Sequence, residues 1–126
     1  MSIKYLYSVI ISLDEERVLL IKFKDKVDVD IEEAKKIMSL SYDIVGRTPF
    51  YLIVDARDVY SSIDHNSRKL MSEHKVNEFN IAQAIIVNNM PIRLLANFYL
   101  KFYKHNNPIK VFTNIDEGRE WVLSQG

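Results

Sequence analysis

The stretch Phe50-Tyr51-Leu52-Ile53-Val54-Asp55 decides the fold class. Its five consecutive apolar residues predict a strand buried on both faces, because a strand with one solvated face alternates apolar and polar residues. Residues 81–87 and 109–112 are also predicted strands, and they are mainly apolar apart from Gln83 and Lys110. Buried strands of this kind are typical of a parallel sheet covered by helices.

The chain begins with a predicted β-hairpin. Residues 5–13 and 17–23 are rich in β-branched, aromatic and other large apolar side chains, and Asp14-Glu15-Glu16 separates them. A connection of three residues is too short for a parallel crossover, so these two strands must pair antiparallel.

The segments that follow the later strands have the apolar periodicity of helices. Asp30 and Glu33 form a predicted capping box at the start of the first helix, and Gly46 stops it. The second helix is predicted to begin between residues 61 and 64 and to end near Glu78. A third and a fourth helix are predicted over residues 91–104 and 114–123, the third opened by a proline in its first turn.

The resulting order is β-β-α-β-α-β-α-β-α. It predicts an α/β fold with a five-stranded mixed sheet, in which the hairpin lies at one side, β-α repeats follow and the helices pack on the sheet. A length of 126 residues suits one domain, so we expect a single domain over residues 1–126.

Composition excludes several classes of protein. Lys and Arg together count 17 and Asp and Glu together count 17, so the chain lacks the basic excess of a general nucleic-acid binder. The absence of cysteine excludes disulfides, thiolate zinc sites and thiol catalysis. No apolar run approaches the roughly 20 residues of a transmembrane helix. No signal-peptide pattern is recognisable at the N-terminus, and we therefore expect a cytoplasmic protein.

The middle of the chain resembles the STAS domain, the SpoIIAA-like fold of anti-sigma-factor antagonists. The resemblance rests on residues 51–59 followed by residues 63–70, where a strand ending in Asp leads through a short loop to a helix that opens with Asp64. The element order of nearly the whole chain fits that fold. Residues 111–114 and 117–123 also resemble the end of small bacterial STAS/SEC14-like proteins.

The resemblance implies a non-enzymatic bacterial module that binds a protein partner through the loop and helix start at residues 57–67. The phosphorylated serine of the regulatory family members falls at His65, and their second serine and glycine fall at Asn66 and Ser67. Only Asp64 of that motif is kept, so we expect no serine phosphorylation switch at this helix start. The candidate partner-binding residues are Asp58, Ser61, Ser62, Asp64, His65, Asn66 and Ser67.

The polar character of this segment has a second interpretation. It follows a central strand, at the sheet edge where ligands commonly bind in α/β proteins. Asp, Ser and Asn at such positions also cap helices and close turns, which needs no partner. Both interpretations stay open at this point.

Two other functions are alternatives. The SEC14 side of the resemblance implies a carrier for a lipid or other small apolar ligand, which needs a cavity between the third helix and the sheet. A minor alternative is a receiver-like phosphoacceptor at Asp55. Its acidic pair would have to come from Asp14-Glu15-Glu16, which is predicted to be a hairpin turn, and the last strand ends without a lysine.

No metal, cofactor or catalytic centre is predicted. His65 and His74 lie nine residues apart, which places the two rings on opposite sides of a helix. No Gly-x-Ser-x-Gly nucleophile elbow is present.

The third helix has an unusually wide apolar arc. Arg93, Asn97, Lys101 and Lys104 form one narrow polar stripe, and the segment contains no acidic residue. Either neighbouring helices cover the arc, or an aromatic and basic flank meets another subunit, an anionic ligand or a membrane surface. The corresponding homodimer hypothesis uses the aromatic residues Phe98, Tyr99, Phe102 and Tyr103.

Overall fold

The computed structural model describes residues 2–102 and 107–126. One mixed sheet contains the strands β1 (Ser2–Tyr5), β2 (Val9–Leu13), β3 (Val18–Phe23), β4 (Phe50–Asp55), β5 (Asn80–Ile86) and β6 (Ile109–Phe112). The helices are α1 (Ile31–Val45), α2 (His65–Glu73), α3 (Met90–Leu100) and α4 (Ile115–Ser124). Two short 3-10 helices span Tyr60–Ser62 and Lys75–Phe79.

The strands lie in the sheet in the same order as in the chain. β1, β2 and β3 pair antiparallel, whereas β3, β4, β5 and β6 pair parallel. The predicted α/β class, with an opening hairpin followed by β-α repeats, is confirmed. Right-handed crossovers between neighbouring parallel strands place α1, α2 and α3 on one face of the sheet. α4 packs on the other face, against β4, β5 and β6.

The predicted number of five strands is wrong, because the sheet has six. Residues 5–13 do not form one strand: the chain turns between Leu6 and Ser8, and β1 folds back antiparallel on β2. The turn is held by a hydrogen bond from the Leu6 N–H to the Val9 carbonyl (2.9 Å). The Ser8 N–H donates to the Glu33 carboxylate of α1 (3.0 Å), so tertiary contacts rather than turn residues fix this bend.

The helix ends follow from local capping. Asp30 accepts a hydrogen bond from the Glu33 N–H (2.8 Å), and Gly46 ends α1 with a φ of 62°, as predicted. α2 ends at Glu73, five residues before the predicted end, because the extended His74 starts a 3-10 helix instead. The end of the third helix predicted at Lys104 lies outside the described residues.

The two faces of the sheet carry cores of different size. The larger core lies under α1, α2 and α3 and includes Ile11, Ile37 and Phe50. The smaller core lies under α4 and contains Val18, Ile53, Ala82, Ala84, Ile86, Phe112 and Val122. The four residues of β1, at the edge of the sheet, are all exposed.

Candidate functional site

The loop after β4 lies at the carboxyl edge of the parallel strands and is fixed at several points. The Ala56 N–H donates to the carbonyl of Ile86 in β5 (2.9 Å). At the other end of the loop, Ile63 forms a parallel bridge with Val29, and the Val29 N–H donates to the Ser62 carbonyl (3.4 Å). The loop backbone is therefore bound to β5 on one side and to the segment before α1 on the other.

Asp58 adds a further fixed point in the middle of this loop. Its φ of 68° is in the left-handed region, which asparagine and aspartate tolerate better than other non-glycine residues. Asn88, which follows β5, accepts a hydrogen bond from the Asp58 N–H and donates one to its carboxylate (2.6 Å). This reciprocal pair holds the unusual conformation in place.

Asp64 and Ser67 have structural roles at the start of α2. The Asp64 carboxylate accepts a hydrogen bond from the Ser67 N–H (2.7 Å), which lowers the pKa of Asp64 below its ordinary value. The Ser67 side chain is completely buried, and its hydroxyl donates to the Val29 carbonyl (3.2 Å). The capping interpretation thus applies to Asp64, and Ser67 does not face a partner.

The other predicted partner-binding residues remain exposed. We define the 58–66 surface as Asp58, Ser61, Ser62, His65 and Asn66, all of which are exposed. The structure brings them together on one loop and the first turn of α2. The absence of a serine phosphorylation switch stays a prediction.

Asp55 is enclosed at the end of β4. Its side chain is only 3% exposed, and Arg57 donates to both carboxylate oxygens, from Nε at 2.9 Å and from Nη2 at 2.7 Å. The hydrogen bond to Asp55 raises the pKa of Arg57. A phosphoacceptor carboxylate must be reachable by the phosphate donor, whereas this one forms a bidentate ion pair. Over the ranges 2–102 and 107–126, no group of three or more His, Asp or Glu side chains could hold a metal ion.

The aromatic residues of the third helix divide between two environments. Tyr99 is half-buried: its ring stacks on Tyr60 with 6.4 Å between centroids, and the Arg68 guanidinium lies 4.1 Å from its centroid. Phe98 and Phe102 are 53% and 61% exposed. Tyr103 of the homodimer hypothesis lies outside the described residues.

The exposed phenylalanines belong to a longer apolar row. We define the α3 row as Met90, Leu94, Phe98 and Phe102, in which each residue is at least 53% exposed. The row follows the outer side of α3 and continues to Phe102, two residues past the end of the helix, while Ala96 on the opposite side is buried. The wide apolar arc is therefore not fully covered by neighbouring helices.

A small apolar cavity of about 70 Å³ lies between the helices and the sheet. Its walls come from the parallel strands β3 to β6, the loop after β4, and the helices α1, α2 and α3, with Leu52, Met71 and Leu100 among them. Arg68 is the only charged side chain among the described lining residues. The carrier alternative required a cavity between the third helix and the sheet, whereas this cavity lies mainly between α2 and the sheet, and α3 contributes Leu100 to its described lining.

Four residues of these surfaces and contacts were not predicted from the sequence. Val29 and Asn88 fix the loop from distant segments, and no local pattern in the sequence indicates such contacts. Met90 and Leu94 extend the aromatic flank into a row, and their spacing of eight and four residues from Phe98 was a signal present in the sequence.

A comparison with solved structures identifies the fold. No curated protein matches the chain. A crystal structure of an uncharacterised protein of the DUF3478 family with a SpoIIAA-like fold, from Shewanella loihica PV-4, is similar, with a TM-score of 0.63 and 17% sequence identity. The match covers 97% of this chain and 98% of that one, which confirms the SpoIIAA-like fold. Of the helices described, none is both long and apolar enough to cross a bilayer.

The sequence itself also matches a family. The family described as "Domain of unknown function (DUF7793)" matches residues 11–125, which include the helices α1 to α4, the strands β3 to β6 and part of β2. The chain therefore belongs to the DUF7793 family.

Proposed function

We propose that this chain is a non-enzymatic binding module that recognises a protein partner through the 58–66 surface. One observation carries the proposal: the backbone of this surface is fixed at both ends and at Asp58, while its side chains are exposed. A surface that is ordered before binding loses little conformational entropy on association. Such preorganisation suits recognition of a folded protein.

The non-enzymatic part of the proposal is supported by how the nearby polar groups are used. Asp55 is paired with Arg57, Asp64 caps α2, and Ser67 is bonded to Val29. Each of these groups stabilises the fold rather than facing an open pocket where it could act on a substrate. A cytoplasmic setting is part of the same proposal.

Site-specific crosslinking tests the proposed surface. A photo-crosslinking amino acid is placed at Ser62 or at Asn66 in cells of the native host, with Lys35 on the exposed side of α1 as the control position. We expect an adduct of one defined mass from positions 62 and 66 and none from position 35. Equal adducts from all three positions, or none from 62 and 66, would contradict the proposal.

The identified partner is then titrated against purified variants. Asn66→Arg introduces a large charged side chain into the surface, and we expect it to weaken binding at least about tenfold. Lys35→Glu also changes charge at an exposed site and should leave the affinity unchanged. Unchanged affinity for Asn66→Arg would remove the 58–66 surface from the interface.

A carrier of small apolar ligands is a second proposal, favoured by the cavity alone. Decanoate is a suitable probe, because its chain is apolar and its carboxylate can pair with Arg68 at the cavity wall. We expect calorimetric titration to show saturable binding that Met71→Trp abolishes by filling the cavity. Met90→Trp, at an exposed site, is the matched control. Absence of saturable binding to the native chain would exclude this carrier function.

A further inference from the structure

The α3 row has the geometry of an interaction surface. Its members recur every fourth residue, and Met90 and Phe98 lie about 12 Å apart along the helix axis. The exposed parts of the four side chains amount to roughly 400 Å² of apolar surface, which is in the range of patches that mark binding sites on soluble proteins. This row is separate from the 58–66 surface and is not needed for the function proposed above.

The charged residues beside the α3 row restrict which partner can bind to it. Residues 90–102 contain Arg93 and Lys101 and no acidic residue. A suitable occupant is therefore apolar inside and negatively charged at its surface. A second copy of the chain does not meet this requirement, because its own row is flanked by the same Arg93 and Lys101 and contains no acidic residue. In addition, the row offers only about half of the roughly 800 Å² per partner that a standard protein interface buries.

We propose that the α3 row binds the surface of an anionic lipid membrane. The four apolar side chains enter the boundary between headgroups and acyl chains, and Arg93 and Lys101 contact the lipid phosphates. A fluid bilayer accommodates a convex row of side chains without the matching groove that a folded protein would need. α3 lies in the plane of the membrane surface and does not cross it.

Vesicle flotation tests the proposal with two lipid compositions. The native chain is mixed with vesicles of phosphatidylcholine alone, or of phosphatidylcholine with roughly one-third phosphatidylglycerol. We expect flotation with the anionic vesicles and much less with the neutral ones. Leu94→Ser with Phe98→Ser should reduce binding at least about tenfold. Arg93→Gln with Lys101→Gln should reduce binding to anionic vesicles about fivefold for each charge removed.

A matched control separates the row from exposed apolar surface in general. Tyr5 and Tyr7 are 69% and 76% exposed near the opposite edge of the sheet, so Tyr5→Ser with Tyr7→Ser removes similar apolar surface elsewhere. These changes should leave vesicle binding unaltered. Circular dichroism checks that every variant is folded. Equal loss of binding in the control and in the Leu94 and Phe98 variant would overturn the proposal.

Insertion is measured separately from adsorption. Phe98→Trp places a fluorophore in the row, and we expect a blue shift with anionic vesicles and quenching by brominated acyl chains. The native Trp121 on α4 faces the smaller core and should not shift. No flotation of the native chain, or no quenching at residue 98, contradicts the proposal. A native dimer that the Leu94 and Phe98 changes convert to a monomer, without vesicle binding, would assign the row to self-association instead.

Discussion

Gly118 is a position where two opposing effects of one methyl group can be compared. A Cβ at this position would lie 2.8 Å from Ile86 Cδ1 and 3.2 Å from the Ala84 Cβ, because α4 packs closely on β5. Alanine normally stabilises a helix interior by about 1 kcal/mol relative to glycine. Overpacking of a core typically costs about 1–3 kcal/mol. We expect Gly118→Ala to lower the free energy of unfolding by up to about 2 kcal/mol in urea denaturation.

The Ile86 side chain provides the control for this prediction. Ile86→Val removes the Cδ1 atom that the new methyl group would contact. Gly118→Ala should therefore lower the free energy of unfolding less in the Ile86→Val variant than in the native chain. A stabilising effect of Gly118→Ala in the native chain would show that helix propensity dominates over packing here.

His74 makes the stability depend on pH. Burial, and then the charge of Lys75, lower its pKa from the ordinary 6.5. Its Nδ1 accepts a hydrogen bond from the Val76 N–H (3.1 Å), which requires a neutral ring. Because the unfolded chain binds the proton more tightly, this contribution to stability is complete above pH 6.5 and is lost as the pH falls towards the folded pKa.

The prediction for His74 is measured by urea denaturation at pH values of about 7.5 and 5.5. His74→Asn keeps an acceptor at this N-cap position and removes the titrating group, so its stability should change less between the two pH values. Ser61→Asn introduces the same side chain at an exposed position without a titrating group and should keep the native pH dependence. An unchanged pH dependence in His74→Asn would contradict the proposed role of the ring.

At the scale of elements, Asn88 connects two loops at the carboxyl edge of the sheet. Asn88→Ala removes both hydrogen bonds to Asp58 and leaves the left-handed backbone unsupported. We expect faster amide hydrogen exchange in residues 58–63 and unchanged exchange in β4 and β5. Asn89→Ala, at the exposed N-cap of α3, is the neighbouring control and should affect only the start of that helix. Unaltered exchange in residues 58–63 would mean that Asn88 does not order the loop.

The sequence predicts those elements whose cause is local. β4 was predicted because its apolar run is unbroken, and α1 because Asp30 and Gly46 mark its ends. The bend at residues 6–8 was missed because a contact with the distant Glu33 fixes it. The end of α2 was missed because His74 keeps the helical spacing of Leu70 and Met71, but it caps a 3-10 helix instead of continuing α2.

The candidate site was also predicted from the sequence only in part. The residues of the 58–66 surface were identified from their polarity and their place after a strand. From the sequence alone, Ser67 could bind a partner or stabilise the turn. Its hydrogen bond to Val29 shows that it lies in the interior. The α3 row could not be predicted, because the sequence does not show which side of α3 packs on the rest of the protein.

For the whole molecule, the unequal cores predict that the two faces of the sheet differ in stability. Val122 is fully buried under α4, and Val122→Asp places a carboxylate in the smaller core. We expect the free energy of unfolding to fall by at least about 3 kcal/mol, because the buried charge has no partner. α4 should detach from the sheet before the rest of the protein unfolds. The variant should therefore bind the dye ANS while amides of β2 and β3 stay protected from exchange.

Glu120 is exposed on the same helix and supplies the control. Glu120→Ala should neither bind ANS nor lose protection in any strand. If Val122→Asp unfolds both cores together, with equal loss of protection in β2 and β6, then the two faces form one cooperative unit.

The sequential order of the strands also has a consequence for synthesis on the ribosome. Each strand pairs with the one made immediately before it, so the sheet can grow as the chain emerges, without waiting for distant segments. The larger core is closed stepwise by helices that lie between the strands. The smaller core has no such helix, because α4 follows every strand that it covers. The apolar surface around Ile53 and Ile86 therefore stays uncovered until α4 has been translated, and this interval is when a nascent chain of this fold is most exposed to aggregation and most in need of a chaperone.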